Sequence, residues 1–202
     1  MPAFTAITPA GLIDLVAERA TGLPGYAVIA VDGADAAEPV SFARTVAERL
    51  RTGGRAAEVV SLHDFVRPAS VRLEYDRESE FSYRTAWFDY EGLTREVLTP
   101  LHRDGRWLPA LWDESADRSA RARIRTAAAG TVLLVAGPML LGRGLAFDLT
   151  VSLRMSEAAL RRRTAPEDGF TVTALSEHRN GGDEPDIVVA WDHPDRPAVR
   201  AN

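Results

Sequence analysis

Short apolar runs rich in β-branched residues alternate along this chain with segments of helical periodicity, and this alternation limits the fold more than any other feature of the sequence. The apolar runs lie at residues 26–31, 57–62, 131–135, 149–153 and 187–189. The helical segments lie at residues 9–19, 41–51, 88–101 and 156–163. Strands that are apolar on both faces are typical of a parallel sheet covered on both sides. The pattern therefore predicts an α/β fold with a parallel sheet of about five strands flanked by helices.

In a parallel sheet the carboxyl ends of the strands meet at one edge, where ligands bind. The dipeptides at three predicted strand ends are Asp32-Gly33, His63-Asp64 and Ala136-Gly137. We expect these dipeptides to cluster in space and to mark the candidate site. His63 and Asp64 are the candidates for acid–base chemistry, because a histidine titrates near neutrality. A histidine can also occupy such a place as a hydrogen-bonded structural residue, and we favour this interpretation of His63.

The composition excludes several classes of site and partner. The chain has no cysteine, which excludes disulfides, thiolate metal ligands and a cysteine nucleophile. Its histidines are too scattered to predict a metal site, and its net charge of −5 gives no reason to expect nucleic acid as a partner. No apolar run reaches membrane-spanning length, and the N-terminus shows no basic-then-apolar leader. We therefore expect a cytoplasmic protein with no membrane contact.

The length of 202 residues predicts one domain over residues 1–202. Loop or lid insertions are expected near residues 67–82, 102–125 and 161–182. Residues 180–183 favour a flexible connection, because two glycines follow an asparagine there. On the second insertion, Asp113 and Glu114 are expected to be solvated.

The chain contains no lysine, so all 24 of its basic side chains are arginine. Residues 28–41 nevertheless have the layout of a phosphate-binding loop, in which an apolar strand runs into Gly33 and a helix follows a few residues later. In such a loop a lysine reaches the β- and γ-phosphates, and the next serine or threonine holds Mg²⁺. Pro39 and Val40 stand in these two places. The loop therefore lacks both the charge and the metal ligand of a working phosphate-binding loop.

The order and spacing of several motifs resemble those of uridine kinase-like nucleoside kinases of the P-loop fold. The matching segments are Val31-Asp32-Gly33 with Phe42-Ala43-Arg44, Ser61-Leu62-His63-Asp64-Phe65-Val66-Arg67-Pro68, Phe88-Asp89-Tyr90, Val132-Leu133-Leu134-Val135-Ala136-Gly137, and Asp148-Leu149-Thr150-Val151 with Arg161-Arg162-Arg163. Together they extend from the first predicted strand nearly to the end of the chain. The resemblance implies a P-loop kinase-like three-layer architecture with a small lid.

The same resemblance indicates that catalytic positions have changed. Glu38 stands where the family has a glycine that lets phosphate approach, and Asp35 adds a second carboxylate nearby. A carboxylate about 4 Å from a phosphate repels it by about 1 kcal/mol per charge pair in water. His63 replaces the catalytic aspartate of the family, and Ala136 replaces an acidic residue. A scaffold that otherwise matches the family has thus lost four groups on which phosphoryl transfer depends, at positions 39, 40, 63 and 136.

The resemblance also implies which residues line the former nucleotide and substrate sites. The degenerate nucleotide-binding loop consists of Asp32, Gly33, Ala36, Glu38, Pro39, Val40 and Ser41. The substrate cleft consists of Arg67, Tyr83, Arg84, Phe88, Arg161 and Arg162. Each set has a structural interpretation as well, since Asp32 can cap a turn, aromatic rings can form a cleft wall, and arginines can lie on a solvated helix face.

We predict a pseudokinase: a uridine kinase-like protein that has lost ATP-dependent phosphoryl transfer and binds a nucleoside-like small molecule or a protein partner. One alternative is an enzyme that uses the old nucleoside cleft for non-phosphoryl chemistry. The other is a residual uridine or cytidine kinase that recruits arginines in place of lysine. We expect no cofactor, and only the residual kinase would need Mg-ATP. A homo-oligomer is compatible with the sequence.

Overall fold

The computed structural model describes residues 3–178 and 184–201. Its centre is a sheet of strands β1 (Thr5–Ala6), β2 (Ala27–Asp32), β3 (Ala57–Ser61), β4 (Val132–Gly137), β5 (Leu149–Arg154), β6 (Ile187–Ala190) and β7 (Ala198–Ala201). The spatial order is β1-β7-β6-β5-β2-β4-β3. Five neighbouring strands in this order, β6, β5, β2, β4 and β3, are parallel. The predicted α/β class with five parallel strands is confirmed. The predicted connection at residues 180–183 lies outside the described residues.

The central strands are buried on both faces, which explains their continuous apolar runs. All six residues of β4 are buried, and β2 is buried from Ala27 to Val31. The register places Val31 opposite Ala136 and Asp32 opposite Gly137, so the two strands end level with each other.

Strands β1 and β7 extend the sheet at one edge, and the sequence analysis does not predict them. β7 pairs antiparallel with β6 and with β1, and both residues of β1 are exposed. An edge strand of two exposed residues carries no apolar run, so hydrophobic periodicity contains no signal for it.

The helices are α1 (Pro9–Thr21), α2 (Pro39–Thr52), α3 (Ala69–Arg72), α4 (Glu80–Thr85), α5 (Tyr90–Leu93), α6 (Thr99–Asp104), α7 (Glu157–Arg163) and α8 (Phe170–His178). Thr8 caps α1, because its Oγ1 accepts the N–H of Gly11 over 3.0 Å. Helix α2 packs on β2, β3 and β4 through a buried stripe that includes Phe42, Val46 and Leu50. Among the described residues, no helix has the length and apolar character needed to cross a membrane.

The segment predicted as one helix over residues 88–101 contains α5, a π-helical turn over Thr94–Leu98, and α6. It begins two residues later than predicted, because the Asp89 carboxylate caps α5 by accepting the N–H of Gly92 over 2.8 Å. Proline has no backbone N–H, so Pro100 cannot donate to Glu96 as an α-helix would require. The C=O of Glu96 instead accepts the N–H of Leu108 over 2.9 Å.

All three predicted loop insertions contain regular elements, and the stretch at 161–182 holds the end of α7 and the whole of α8. The stretch at 67–82 holds α3 and the start of α4. The stretch at 102–125 holds small antiparallel pairs, Arg106–Trp107 with Arg125–Thr126 and Trp112–Asp113 with Arg118–Ser119. Single 3₁₀ turns lie at Asp35–Ala37, Leu62–Phe65 and Pro166–Asp168. These elements arrange the side chains around the carboxyl edge of the sheet.

Candidate functional site

The carboxyl ends of β2, β3 and β4 meet at one edge of the sheet, as predicted. The N–H of Gly33 donates to the C=O of Gly137 over 3.1 Å, and β3 pairs with the other side of β4. Gly137 permits this convergence, because a Cβ atom at its position would lie 2.5 Å from the Cβ of Leu62. The close approach brings His63, which follows Leu62, next to the loop after β2.

The Asp32 carboxylate serves the turn that follows β4. Its Oδ1 accepts the N–H of Leu140 over 2.8 Å. Burial raises the pKa of Asp32 to about 6, although hydrogen bonds from the backbone of Leu140 and Leu141 and from Ser152 act against the shift. Of the two interpretations that the sequence left open for Asp32, this geometry supports the capping of a turn.

The loop between β2 and α2 closes on itself through its own backbone. The N–H of Ala37 donates to the C=O of Ala34 over 2.8 Å, and the N–H of Glu38 donates to the C=O of Asp35 over 2.9 Å. Pro39 is the first residue of α2 and has no N–H to offer. These three positions therefore present no free backbone donor to a phosphate group.

Contacts with residues distant in sequence also hold the loop between β2 and α2 in this closed conformation. The indole Nε1–H of Trp191, just after β6, donates to the C=O of Ala37 over 2.9 Å in a buried hydrogen bond. Glu38 has left-handed backbone angles, with φ 55° and ψ 50°, and its carboxylate lies 3.9 Å from the Arg163 guanidinium. Val40 packs against the core, whereas Ser41 is exposed in the first turn of α2.

His63 lies between two carboxylates. Its Nδ1 is 2.7 Å from Oε2 of Glu114, and its Nε2 is 3.0 Å from Oδ1 of Asp35. Burial alone would lower the pKa of His63, but hydrogen bonding and charge interaction with Asp35 and Glu114 outweigh it and raise the pKa to about 10. The ring also meets the edge of Phe88, with ring centres 5.4 Å apart. His63 is therefore an imidazolium at neutral pH, which cannot act as a general base.

Glu114 belongs to the His63 cluster, although the sequence analysis expected it to be solvated. Its Oε1 accepts hydrogen bonds from Arg72 over 2.9 Å and from the Trp87 indole over 3.1 Å. Burial would raise the pKa of Glu114, but the interactions with His63 and Arg72 hold it below its usual value. Arg72 is buried and also donates to the C=O of Arg67 over 2.6 Å. No sequence motif identifies Glu114, because it joins His63 only through folding.

Asp64 has different surroundings from those of His63. Burial raises the pKa of Asp64, while a hydrogen bond from the backbone of Ser61 and the charges of His63 and Arg44 act in the opposite direction. Asp64 does not line the cavity that His63 lines. The structure therefore does not bring the two acid–base candidates together as a pair.

The predicted substrate-cleft residues separate into two groups. Tyr83 is buried, lines the cavity, and donates its O–H to Oδ2 of Asp35 over 3.4 Å, while Phe88 is buried beside His63. The Arg67 backbone bonds to Trp87, and Arg84 forms an ion pair with Glu177 in α8. Neither of these two arginines lines the cavity.

The three consecutive arginines of α7 also have different surroundings. Arg161 is exposed and pairs with Glu157 over 2.7 Å, and Arg162 is exposed as well. Arg163, which the sequence analysis did not select, is the arginine of this run that lines the cavity. Helical rotation separates neighbouring residues by about 100°, so adjacent arginines cannot all face one cavity.

The cavity beside these groups has a volume of about 530 Å³, within the usual range for a small-molecule site. Its charged lining residues are Asp35, Glu38, His63, Glu114, Arg163 and Asp168. Its aromatic lining residues are Tyr83, Trp87 and Phe170. Within the described part of the chain, no group of three or more histidine, aspartate or glutamate side chains is arranged to hold a metal ion.

Solved structures of kinases share this fold. A proposed fructose transport system kinase from Silicibacter sp. TM1040 aligns with a TM-score of 0.72 and 21% identity, over 90% of this chain and 98% of that chain. A possible uridine kinase from Bacillus stearothermophilus aligns with a TM-score of 0.65 and 18% identity, over 85% and 95% of the two chains. The YGR205w protein aligns with a TM-score of 0.56 and 10% identity, over 97% and 99%.

These alignments confirm, at the level of the fold, the resemblance that the sequence motifs predicted. No protein-family model and no curated protein matches the sequence itself. The chain is therefore an α/β protein with the fold of uridine kinase and related kinases.

Proposed function

We propose that this protein is a pseudokinase, which has the fold of a nucleoside kinase but does not transfer phosphate, and that its cleft binds a small molecule. The observation that carries the proposal is the closed loop after β2. The N–H groups of Ala37 and Glu38 bond within the loop, and Pro39 has none. Phosphoryl transfer depends on positioned donors and positive charge around the phosphates, whereas these three positions offer no free N–H and the loop carries no cationic side chain.

The electrostatics of the loop support the same proposal. Asp35 and Glu38 line the cavity on the loop side, where a triphosphate would bring several negative charges. Val40 supplies no oxygen to a metal, and Ala136 supplies no carboxylate. The residues present therefore do not fit Mg-ATP.

The state of His63 weighs against both alternatives that the sequence left open. As an imidazolium held by Asp35 and Glu114, His63 does not provide the base for a substrate hydroxyl, and with a pKa of about 10 it is a poor general acid near neutral pH. A residual kinase would need arginines at the phosphates. Arg161 and Arg162 are outside the cavity, and Arg163, which lines it, lies 3.9 Å from the Glu38 carboxylate. The role that these observations favour is binding.

The cavity supports a small molecule as the ligand in preference to a protein partner. Its volume of about 530 Å³ suits a compact organic molecule. Its lining combines three aromatic side chains with charged groups and with small apolar and hydroxyl side chains, and apolar surface with a few placed polar groups is common in small-molecule sites.

Calorimetry with Mg-ATP, combined with an assay for phosphorylation of uridine and cytidine, tests the loss of phosphoryl transfer. We expect no saturable heat at millimolar Mg-ATP and no product above the protein-free rate. Micromolar binding, or nucleoside phosphorylation that Arg163→Ala abolishes and Arg161→Ala preserves, would overturn the proposal. Arg161→Ala is the matched control, since it removes the same charge from the same helix outside the cavity.

A further inference from the structure

The charges that line the 530 Å³ cavity are unequal in number. Four carboxylates line it, Asp35, Glu38, Glu114 and Asp168, against two cationic side chains, His63 and Arg163. Asp35 and Glu114 share His63, and Glu38 lies 3.9 Å from Arg163. Arg72 adds one more positive charge behind Glu114, where it is also 3.4 Å from Asp117. Among the carboxylates that line the cavity, Asp168 is the one that these pairings leave without a cation.

Asp168 is exposed at the end of the turn between α7 and α8, and its carboxylate contacts no cation among the described residues. Partial burial raises the pKa of Asp168, and the charges of Glu167, Asp35 and Glu114 raise it further, against a weaker opposite effect of His63. A carboxylate whose ionisation is opposed by its neighbours reports a negative potential at its position. The cavity therefore attracts positive charge beside Asp168.

The lining of the cavity also contains a cluster of three aromatic rings. The ring centres of Tyr83 and Trp87 are 5.3 Å apart, and Phe170 lies 5.8 Å from Tyr83 and 5.9 Å from Trp87. The faces of aromatic rings attract cations, most strongly where water is excluded. One ring of the cluster already contacts a cation from outside the cavity lining, because the Arg72 guanidinium lies 5.1 Å from the centre of the Trp87 ring.

From this combination we infer that the ligand of the cleft is a compact organic cation, an ammonium group carried on an apolar body. The ammonium lies between Asp168 and the aromatic cluster, where it completes the charge balance of the cavity. The apolar body rests on Phe170 and Trp87, both of which are half-buried. The inference rests on the proposed function, because it takes the cleft to be a binding site, and it predicts the opposite charge preference to that of a nucleotide site.

Three probes of equal size and different charge provide the test: 2-phenylethylamine, 2-phenylethanol and phenylacetate. Their affinities are measured by calorimetry or ligand-observed NMR at low ionic strength, where screening of the charges is weak. We expect the amine to bind about tenfold more tightly than the alcohol, and phenylacetate to bind more weakly than both. We also expect the preference for the amine over the alcohol to decrease as salt is added.

Two neighbouring carboxylates on one turn provide a matched pair of variants. Asp168→Asn removes the charge that lines the cavity, and Glu167→Gln removes an exposed charge that does not line it. We expect Asp168→Asn to weaken amine binding about three- to tenfold and to leave alcohol binding unchanged. Glu167→Gln should weaken amine binding by only about twofold or less, because its charge adds to the negative potential at Asp168 from outside the cavity, where water screens it more strongly.

A third variant, Phe170→Leu, keeps an apolar side chain and removes the aromatic face. We expect it to weaken binding of the amine about two- to fivefold more than binding of the alcohol.

Equal binding of amine and alcohol, tighter binding of phenylacetate, or binding of none of the three probes would overturn the inference. Equal effects of Asp168→Asn and Glu167→Gln would overturn it too. The proposed loss of phosphoryl transfer is measured separately with Mg-ATP and nucleosides, so the two can fail independently.

Discussion

The interior of the sheet and the loops at its carboxyl edge differ in what their residues provide. In β2 and β4 nearly every side chain is apolar and buried, as a parallel sheet requires. In the loops that follow, the resemblance drawn from the sequence motifs predicts that Pro39, Val40 and His63 replace a lysine, a metal ligand and an aspartate on which phosphoryl transfer depends. The difference teaches that the residues that build the fold are not those that line the site, so the loops at the edge can change while the interior preserves the architecture.

The largest effect that tests this difference is expected in the interior. Leu134→Ala in β4 removes a fully buried side chain and should lower the free energy of unfolding by about 3–4 kcal/mol. Ser41→Ala, at an exposed loop-side position, should change it by less than about 0.5 kcal/mol. Urea denaturation measures the free energy of unfolding of both variants. Similar decreases in the two would contradict the difference between the interior of the sheet and its edge.

A second test concerns Asp32, whose pKa burial raises from the usual 3.8 to about 6. The stability that its protonated form contributes is complete below pH 3.8 and is lost as the pH rises through 6. Asp32→Asn keeps the shape and cannot ionise, so it should raise the free energy of unfolding by about 2 kcal/mol at pH 8 relative to the native protein. The gain should disappear near pH 4, and a gain independent of pH would refute this account.

A third test concerns His63. Burial would lower its pKa, but the interactions with Asp35 and Glu114 raise it to about 10. Its stabilising effect is complete below its usual pKa of 6.5 and is lost as the pH rises through 10. His63→Gln should therefore cost about 1–2 kcal/mol at pH 6 and almost nothing above pH 10. His102→Gln is the control, because His102 contacts one carboxylate, Asp148, instead of two. Chemical denaturation measures both variants across this pH range. The same pH dependence in the two would contradict the stabilisation of His63 by Asp35 and Glu114.

The smallest effect is expected at Glu38, whose left-handed backbone favours glycine. Glu38→Gly relieves this strain but adds freedom to the unfolded chain, so the free energy of unfolding should change by less than about 0.5 kcal/mol. We also expect no binding of Mg-ATP, because the loop hydrogen bonds of Ala37 and the proline at position 39 are unchanged. If calorimetry detects binding of Mg-ATP to this variant with micromolar affinity, the Glu38 carboxylate alone prevents binding in the native protein.

The elements with strong periodicity could be predicted from the sequence. The five parallel strands, the cap of α1 at Thr8 and the meeting of the strand ends follow from local patterns, because burial on both faces leaves a continuous apolar run. The edge strand β1 and the π-helical turn at Thr94–Leu98 could not be predicted in this way. Both depend on partners distant in sequence, such as β7 for β1 and Leu108 for the carbonyl of Glu96.

The candidate site could be predicted only in part. His63 and the altered loop were identified, because their positions follow strand ends. Glu114 and Asp168 were missed, since they come from the insertions, where no periodicity indicates which side chain faces inward. Within the arginine run of α7, Arg161 and Arg162 were assigned to the cleft, whereas Arg163 lines the cavity.

The sequence by itself determined the order of strands and helices and the absence of lysine, of a metal-binding side chain at position 40 and of a carboxylate at position 136. These are properties of single residues or short patterns, which need no partner to be read. Only the tertiary structure decided that Glu114, 51 residues away from His63, holds it as a cation and that Arg163 lines the cavity. The charge state of a side chain depends on burial and on neighbours distant in sequence, because the surroundings of an ionisable group set its pKa. Whether a side chain lines the cavity likewise depends on how distant segments pack.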